Sequence, residues 1–194
     1  MQSDAGWGAH LLQSRTQRRL KGNSSPGLLP PTNFAPAGVL EWAKHSPSVP
    51  PFINGKKRSR GRRRSGEIYE LRAQDALVEE FGDLYVPSPW FQFKSIGFDR
   101  VRWCQPDGLL FDPYAGRITI IEMKLQHTAA AWWQVKLLYH PIIAHLFPPD
   151  LWTYAFVEIA KWFDKDTQFP ERVQLLPHVA LAEDGRFGVH IWKP

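Results

Sequence analysis

The stretch that most constrains this chain is Gln105 to Lys124, QPDGLLFDPYAGRITIIEMK, in which short apolar runs alternate with turn residues. Asp112-Pro113 is typical of the first positions of a type I turn, and Gly116 can adopt the left-handed conformation that closes such a loop. The stretch therefore predicts two strands joined by a tight turn.

Three charged residues occupy defined positions in this predicted hairpin. Residues two apart on a strand point to the same face, so Glu122 and Lys124 share one face. If Asp112 pairs with Arg117, the ladder places Asp107 directly opposite Glu122. A slip of one residue would send Asp107 to the other face, so the prediction depends on this register.

Two carboxylates that meet among apolar residues must share a proton or bind a cation. Oxygen ligands of this kind suit Mg²⁺ or Mn²⁺, with water and substrate phosphate completing the coordination. The alternative is an exposed Glu122–Lys124 pair at a strand end, with Asp107 capping a turn. The strand-turn-strand context favours the metal site.

Pro106-Asp107, followed by Glu122-Met123-Lys124 at the end of an apolar strand, resembles the signature of the PD-(D/E)xK nuclease superfamily. That superfamily includes restriction endonucleases, recombination exonucleases and archaeal-type Holliday junction resolvases. The resemblance implies an α/β fold with a restriction endonuclease-like αβββαβ core, in which helices flank a central mixed sheet. It also implies that Asp107, Glu122 and the Met123 carbonyl hold Mg²⁺ or Mn²⁺, and that Lys124 acts beside the phosphodiester bond that is hydrolysed.

Ser65 to Phe81 predicts a helix, with Ser65 as its cap and Gly82 directly after its last apolar residue. Its apolar residues fall on one stripe at the helical period: Leu71, Leu77, Val78 and Phe81.

Two further motifs extend the resemblance. Gly66-x-x-x-Glu70 is similar to the first helix of the archaeal-type junction resolvases, which implies that Glu70 is a third acidic catalytic group, with Glu67 in reserve. In the recombination-type exonucleases a glutamine and a tyrosine four apart follow the lysine. Here Gln134 and Tyr139 are five apart. Gln134 is therefore an accessory candidate, and Tyr139 is expected on a different part of the helix.

The order of predicted elements agrees with that core. A helix is followed by three strands, a second helix that Thr128 caps and Pro141 interrupts, and another strand. The Trp132 and Trp133 rings are expected in the core rather than on bases. The strands are predicted at Ser88–Ile96, Arg102–Phe111, Arg117–Lys124 and Leu151–Trp162, with the second helix from Thr128 to about Phe147 and short strands at Gln174–Leu181 and Arg186–Trp192.

The charge divides the chain in two. Residues 1–64 carry a net charge of +10 and residues 65–194 one of −5. We expect residues 1–64 to be a disordered or extended basic arm and residues 65–194 to be the nuclease-like domain. The arm contains a basic run that we expect to contact the phosphates of DNA, although a nuclear-localisation signal or a protein partner is an alternative. Its basic residues are Lys56, Lys57, Arg58, Arg60, Arg62, Arg63 and Arg64.

The remaining features indicate the class of protein. The single cysteine, Cys104, excludes an intrachain disulfide and is typical of a reducing compartment. No apolar run approaches membrane-spanning length, so a soluble intracellular protein is expected, nuclear if eukaryotic or viral. The expected activity is that of a DNA nuclease, structure-specific or recombination-type. A homodimer or a partner bound by the arm is left open. The rival from another class is a DNA-binding or assembly protein that keeps the fold without cutting.

Overall fold

The computed structural model describes residues 29–31, 34–53 and 60–194 of the chain. These residues form a mixed α/β structure with helices on both faces of a mixed sheet. The strands are β1 (Leu40–Ser46), β2 (Tyr85–Pro87), β3 (Trp90–Ser95), β4 (Arg102–Cys104), β5 (Gly108–Asp112), β6 (Arg117–Gln126), β7 (Thr153–Trp162), β8 (Gln174–Leu176) and β9 (Phe187–Ile191). The α-helices are α1 (Gly61–Phe81), α2 (Ala129–Gln134) and α3 (His140–Leu146), with a π-helical turn at Val135–Tyr139 and 3₁₀ turns at Gly82–Leu84 and Val179–Leu181.

The strands form two sheets. The large sheet has the order β2-β5-β6-β7-β9-β8, and the small sheet has the order β1-β3-β4. Strand β5 runs antiparallel to both of its neighbours, β2 and β6, whereas β6, β7, β9 and β8 are parallel. Helix α1 packs on one face of β6, and α2 with the π-helical turn packs on the other. The central strands are therefore buried on both sides, as their apolar sequences predict.

The β5–β6 hairpin has the predicted register. Asp112 pairs with Arg117. In the turn between them, Asp112 Oδ1 accepts a hydrogen bond from Ala115 N at 3.0 Å, and Gly116 has φ +58°. This turn fixes the register of the ladder up to its last pair, Gly108 with Ile121.

The single strand predicted from Arg102 to Phe111 is two strands in different sheets. The chain leaves the small sheet after Cys104 and joins the large sheet at Gly108. Pro106 lies between them and has no N–H to donate to a ladder, which favours a break at this point. Asp107 therefore lies where the chain passes from one sheet to the other.

Helix α1 differs from its prediction at its start and in its buried face. It begins at Gly61, and the Ser65 hydroxyl donates to the Gly61 carbonyl at 3.5 Å instead of capping the helix. Leu71 is 58% exposed and Val78 45% exposed. The tertiary contacts select another face, because Tyr69 packs on Trp192 and donates a hydrogen bond to its carbonyl. The buried residues of α1 are Tyr69, Ala73 and Leu77.

Part of the predicted arm belongs to the folded structure. Strand β1 pairs with β3, Ala37 is buried and Phe34 packs on the core. The Ala37 N–H donates to Leu137 O at 2.8 Å, which ties this segment to the π-helical turn. The expected boundary at residue 64 thus separates residues that pack together. Residues 1–28, 32–33 and 54–59 of the arm lie outside the described residues.

The second helix consists of three consecutive segments: α2, the π-helical turn and α3. Thr128 caps it as predicted, accepting a hydrogen bond from Ala130 N at 3.3 Å. An interruption was expected near Pro141, and the helix does change there: the π-helical turn ends directly before α3. Pro141 lies in the first turn of α3. No helix in the described part of the chain is both long and apolar enough to cross a membrane.

Gly108 provides a test of how closely β2 and β5 pack. A Cβ atom at this position would lie 2.3 Å from Tyr85 Cε2. We expect Gly108→Ala to lower the free energy of unfolding by about 1–3 kcal/mol through overpacking. The control is Gly66→Ala in α1, where an added Cβ meets no atom within 4 Å. It should raise stability by about 0.5–1 kcal/mol. Urea denaturation measures both, and effects of the same sign would contradict the contact with Tyr85.

Candidate active site

The ends of β5 and β6 bring the predicted acidic residues together. One step beyond the last ladder pair, Asp107 Oδ2 accepts a hydrogen bond from Met123 N at 2.5 Å. Glu122 and Lys124 lie on the face of β6 that also carries Ile118 and Ile120, and this face packs on α2 and the π-helical turn.

Glu122 is the most deeply buried acid of this group. It is 2% exposed, and its Oε1 accepts a hydrogen bond from Lys124 Nζ. Its other oxygen, Oε2, is buried and meets no donor in hydrogen-bond geometry among the described residues, although the Tyr139 hydroxyl interacts with this carboxylate. A buried carboxylate oxygen without a donor is costly, and a bound cation is one way to satisfy it.

The pKa values of the three groups reflect this burial. Burial raises the pKa of Asp107 well above its usual range, and the carboxylates of Glu122 and Glu70 raise it further. Burial also raises the pKa of Glu122, despite the neighbouring Lys124 ammonium. Burial alone would lower the pKa of Lys124, but Glu122, Asp107 and Glu158 together hold it above its usual value. Lys124 is therefore an ammonium, and the acids lack sufficient compensating charge.

The Met123 backbone faces the same place. The N–H and C=O of one strand residue point to the same edge of the strand. Because the Met123 N–H donates to Asp107, the Met123 carbonyl also faces Asp107, beyond the end of β5. The ligand role that the family resemblance implies for this carbonyl stays a prediction.

Helix α1 supplies a third acid. Glu70 accepts a hydrogen bond from Gln74 Nε2 at 3.4 Å, and its charge acts on Asp107 and Glu122. Glu67, the reserve candidate, instead pairs with Arg63 at 3.4 Å on the exposed side of the helix. Of the two glutamates, Glu70 is the one that the structure brings to Asp107.

The backbone of Asp107 is fixed from three sides, which the sequence alone did not indicate. Its carbonyl accepts hydrogen bonds from Tyr85 Oη at 3.1 Å, Gln74 Nε2 at 3.3 Å and Ser88 N at 3.1 Å. Ser88 has φ +45°, a conformation that costs free energy in a residue other than glycine. Gln74 Nε2 also donates to Ser88 Oγ at 2.7 Å, and Gln105 Nε2 donates to the Ser88 carbonyl at 2.8 Å.

The π-helical turn changes the expectation for Tyr139. On an α-helix two residues five apart lie on different faces, but the wider turn of a π-helix, whose hydrogen bonds join residues five apart, brings such residues closer together. Gln134 Nε2 donates to Tyr139 Oη at 3.4 Å, so the two side chains meet. Tyr139 is buried. Burial and the charges of Glu122 and Asp107 raise its pKa well above the usual value. The prediction that Tyr139 lies apart was therefore wrong, while the predicted burial of Trp132 and Trp133 is confirmed.

A second buried acid adjoins Glu122. Parallel pairing places Glu158 of β7 beside Glu122. Glu158 accepts hydrogen bonds from Thr128 N at 3.0 Å and pairs with His127 Nδ1 at 2.9 Å, and the His127 ring lies between Phe163 and Phe169. Sequence reasoning missed this pair. The available signal was an acid inside an apolar strand, which requires a partner in the same way as Glu122.

The basic run lies only partly within the described structure. Arg62 donates to Gln126 Oε1 at the end of β6, which places the first turn of α1 beside the strand that carries Glu122 and Lys124. Arg60 and Arg64 are exposed. Lys56, Lys57 and Arg58 lie outside the described residues.

Comparisons with known proteins give no relative: no family model, curated protein or solved structure matches the chain. Within the residues that the structure describes, no group of three or more His, Cys, Asp or Glu is arranged to hold a metal ion. Asp107, Glu122 and the Met123 carbonyl therefore stay predicted ligands, with Glu70 acting on both acids through its charge.

The raised pKa of Asp107 gives a prediction for metal-free protein. The folded chain keeps a proton that the unfolded chain releases above about pH 4. Stability should therefore fall as pH rises from that value through the folded-state pKa. Asp107→Asn keeps an oxygen for Met123 N but does not titrate, so its free energy of unfolding should fall less over the same range. Mg²⁺ should raise the melting temperature of the wild type but not that of this variant.

The control is Asp75→Asn on the exposed side of α1, which should follow the wild type in EDTA at every pH. If the free energy of unfolding changed equally with pH in Asp107→Asn and the wild type, the raised pKa of the buried Asp107 carboxyl would be contradicted.

Proposed function

We propose that this chain is a Mg²⁺- or Mn²⁺-dependent nuclease that hydrolyses phosphodiester bonds in DNA. The observation that carries the proposal is the convergence of Asp107, Glu122 and Lys124, with Glu122 Oε2 buried and lacking a partner. The elements of the large sheet support it as well, because α1, the antiparallel pairs β2–β5 and β5–β6, the α2 helix and the parallel β7 follow an αβββαβ order. The strand predicted at Ser88–Ile96 is not one of them: it corresponds to β3, which lies with β4 in the small sheet, between β2 and β5 in the chain.

The donor set fits a hard divalent cation. Mg²⁺ is commonly held by one or two carboxylates plus substrate phosphate and water. Asp107, Glu122 and the Met123 carbonyl would hold it, with Glu70 as a further acid. When bound, the ion makes a water molecule more acidic and offsets charge on the reacting phosphate. The cation would also relieve the repulsion that raises the pKa of Asp107.

Lys124 acts on the phosphate as an ammonium. Its pKa is held above the usual value by three carboxylates, so it is a poor base while those acids are ionised. It therefore orients the attacking water and stabilises the charge of the phosphate in the transition state. Its hydrogen bond to Glu122 holds it beside the metal ligands.

The Gln134–Tyr139 pair has a supporting role. Tyr139 keeps its proton because its pKa is well above the usual value, so its hydroxyl can donate toward the carboxylates or a bound phosphate. Gln134 fixes that hydroxyl from the same helix. This arrangement supports a recombination-type subfamily within the nucleases.

A second candidate function is DNA binding without cleavage. Two observations favour it. Lys124 donates a hydrogen bond to Glu122, and the described residues contain no group of three or more His, Cys, Asp or Glu side chains that could hold a metal ion. A protein that kept the fold for binding would need no bound metal, so dependence of cleavage on Mg²⁺ separates the two candidates.

Substitution of Lys124 tests the proposed chemistry. Lys124→Ala should lower the rate of Mg²⁺-dependent cleavage by about 100-fold or more, since its charge acts on the reacting phosphate. DNA binding and melting temperature should change little. Linear, circular and branched DNA should be tested, because the proposed function does not fix the substrate. The matched control is Lys165→Ala, an exposed lysine in the loop after β7.

Wild-type cleavage that persists in EDTA, or equal rates for Lys124→Ala and the wild type, would overturn the assignment of this site. A wild type that binds DNA but never cuts it with Mg²⁺ or Mn²⁺ would favour the second candidate.

The basic residues of α1 give a separate prediction about binding. Replacing Arg62, Arg63 and Arg64 by alanine should flatten the dependence of log affinity on log salt by about 0.9 for each duplex phosphate contact that is lost. The control replaces the exposed Arg100 and Arg172. Fluorescence anisotropy over a salt series measures both. An unchanged slope in the α1 variant would assign this segment to a protein partner instead of DNA.

A further inference from the structure

The outer face of the small sheet is rich in tryptophan and lysine. In β3, Phe91, Phe93 and Ser95 are buried toward the core, so the alternate residues of the strand point outward. Cross-strand partners share a face, and Lys94 pairs with Trp42 while Gln92 pairs with Lys44 and Trp103. The outer face, called the aromatic face below, consists of Trp42, Lys44, Trp90, Gln92, Lys94 and Trp103.

The rings of this face are arranged edge to face, with cations beside them. Trp90 and Trp103 have centroids 6.4 Å apart at 77°, and Phe52 meets Trp103 at 6.2 Å and 83°. Lys44 Nζ lies 5.7 Å from the Trp42 ring. Phe52 is 64% exposed although it packs on this cluster. The small sheet thus buries its apolar residues on the inner side, and the half-buried rings of Trp42, Trp90 and Trp103 lie on its outer side.

The aromatic face adjoins the proposed active site. Trp103 lies four residues before Asp107, and Trp90 lies two residues after Ser88, whose N–H donates to the Asp107 carbonyl. Gln105, between Trp103 and Asp107, donates to the Ser88 carbonyl at 2.8 Å. The end of the sheet that carries Trp90 and Trp103 is therefore the end fixed to Asp107.

This combination favours one kind of ligand. Bases stack on aromatic side chains while cations follow the phosphates, and in a duplex the faces of the bases are already stacked on each other. The cores of protein interfaces are depleted in lysine, whereas here Lys44 lies beside the Trp42 ring. Lys94 also lies on this face, where it is paired with Glu41 at 2.8 Å. We propose that the aromatic face binds unpaired bases of a single-stranded nucleic-acid segment next to the phosphate that is cleaved. This inference rests on the proposed function, which it narrows to substrates with a single-stranded portion.

The test measures binding in the absence of cleavage. Fluorescein-labelled oligo(dT), oligo(rU) and a mixed-sequence DNA duplex are titrated with protein carrying Lys124→Ala, and anisotropy is recorded. Adding Trp103→Leu, which keeps an apolar side chain but removes the ring system, should weaken single-strand binding by about 5- to 150-fold. Duplex affinity should stay unchanged. The dT and rU arms show whether DNA or RNA is preferred.

Two matched variants separate stacking from loss of folding. Trp103→Phe keeps a ring and should retain most of the single-strand affinity. Tyr114→Ala removes an aromatic side chain that is 99% exposed in the β5–β6 turn, at the opposite end of β6 from Lys124, and should have no effect. Lys44→Glu leaves every ring in place and should weaken the binding of oligo(dT) and oligo(rU). Its control is Lys165→Glu, which should not. Photocrosslinking of an iodouracil-containing strand should map to Trp90 or Trp103.

Equal binding of single strands by Trp103→Leu and Tyr114→Ala, or equal losses for single strand and duplex in Trp103→Leu, would overturn the inference. So would crosslinks that lie only outside the small sheet. None of these results touches the proposed nuclease activity, which depends on metal-dependent cleavage and on Lys124. Conversely, a chain that binds single strands through Trp103 but never cuts would overturn the nuclease and keep the binding face.

Discussion

The arrangement of the residues around Glu122 depends on one constraint: its carboxylate is buried within a sheet, which costs free energy. A charge in such a place requires compensation. Lys124 supplies part of it from the same face of the strand, while Tyr139 approaches from the π-helical turn. The remaining oxygen has no partner among the described residues, and Asp107 adds a second negative group. Compensation among the described residues is therefore incomplete, and this is why we propose a bound cation.

Asp107 reaches this position because three separate segments hold its backbone. Tyr85 from β2, Gln74 from α1 and Ser88 from the turn before β3 all donate to one carbonyl. The absence of a side chain at Gly108 lets Tyr85 lie against the strand. The unfavourable backbone conformation of Ser88 is maintained by its own contacts with Gln74 and Gln105. Rigid placement of this kind lets a site keep its geometry when substrate binds.

The neighbouring strand shows a second solution to the same problem. Glu158 lies beside Glu122 in the parallel ladder, but His127 and the Thr128 N–H satisfy both of its oxygens. The two adjacent buried glutamates thus differ in their hydrogen bonding. Both oxygens of Glu158 have partners within the fold, and one of them accepts from the residue that caps α2. Glu122 has one oxygen without a donor among the described residues. Their electrostatic interaction contributes to the raised pKa of Glu122.

The sequence by itself determined the β5–β6 hairpin, because Asp112, Pro113 and Gly116 fix a local turn. From that turn, the alternation of side chains along a strand determines which residues share a face. It therefore determined that Asp107 meets the Glu122–Lys124 end of β6. Local patterns could not determine which face of α1 is buried, since Tyr69 packs on Trp192, which is distant in the sequence. The π-helical turn that brings Tyr139 to Gln134, and the parallel pairing that brings Glu158 to Glu122, are likewise decided by tertiary packing. Spacing along the chain specifies a face only when the helical period is known, and here the packing of the second helix set that period.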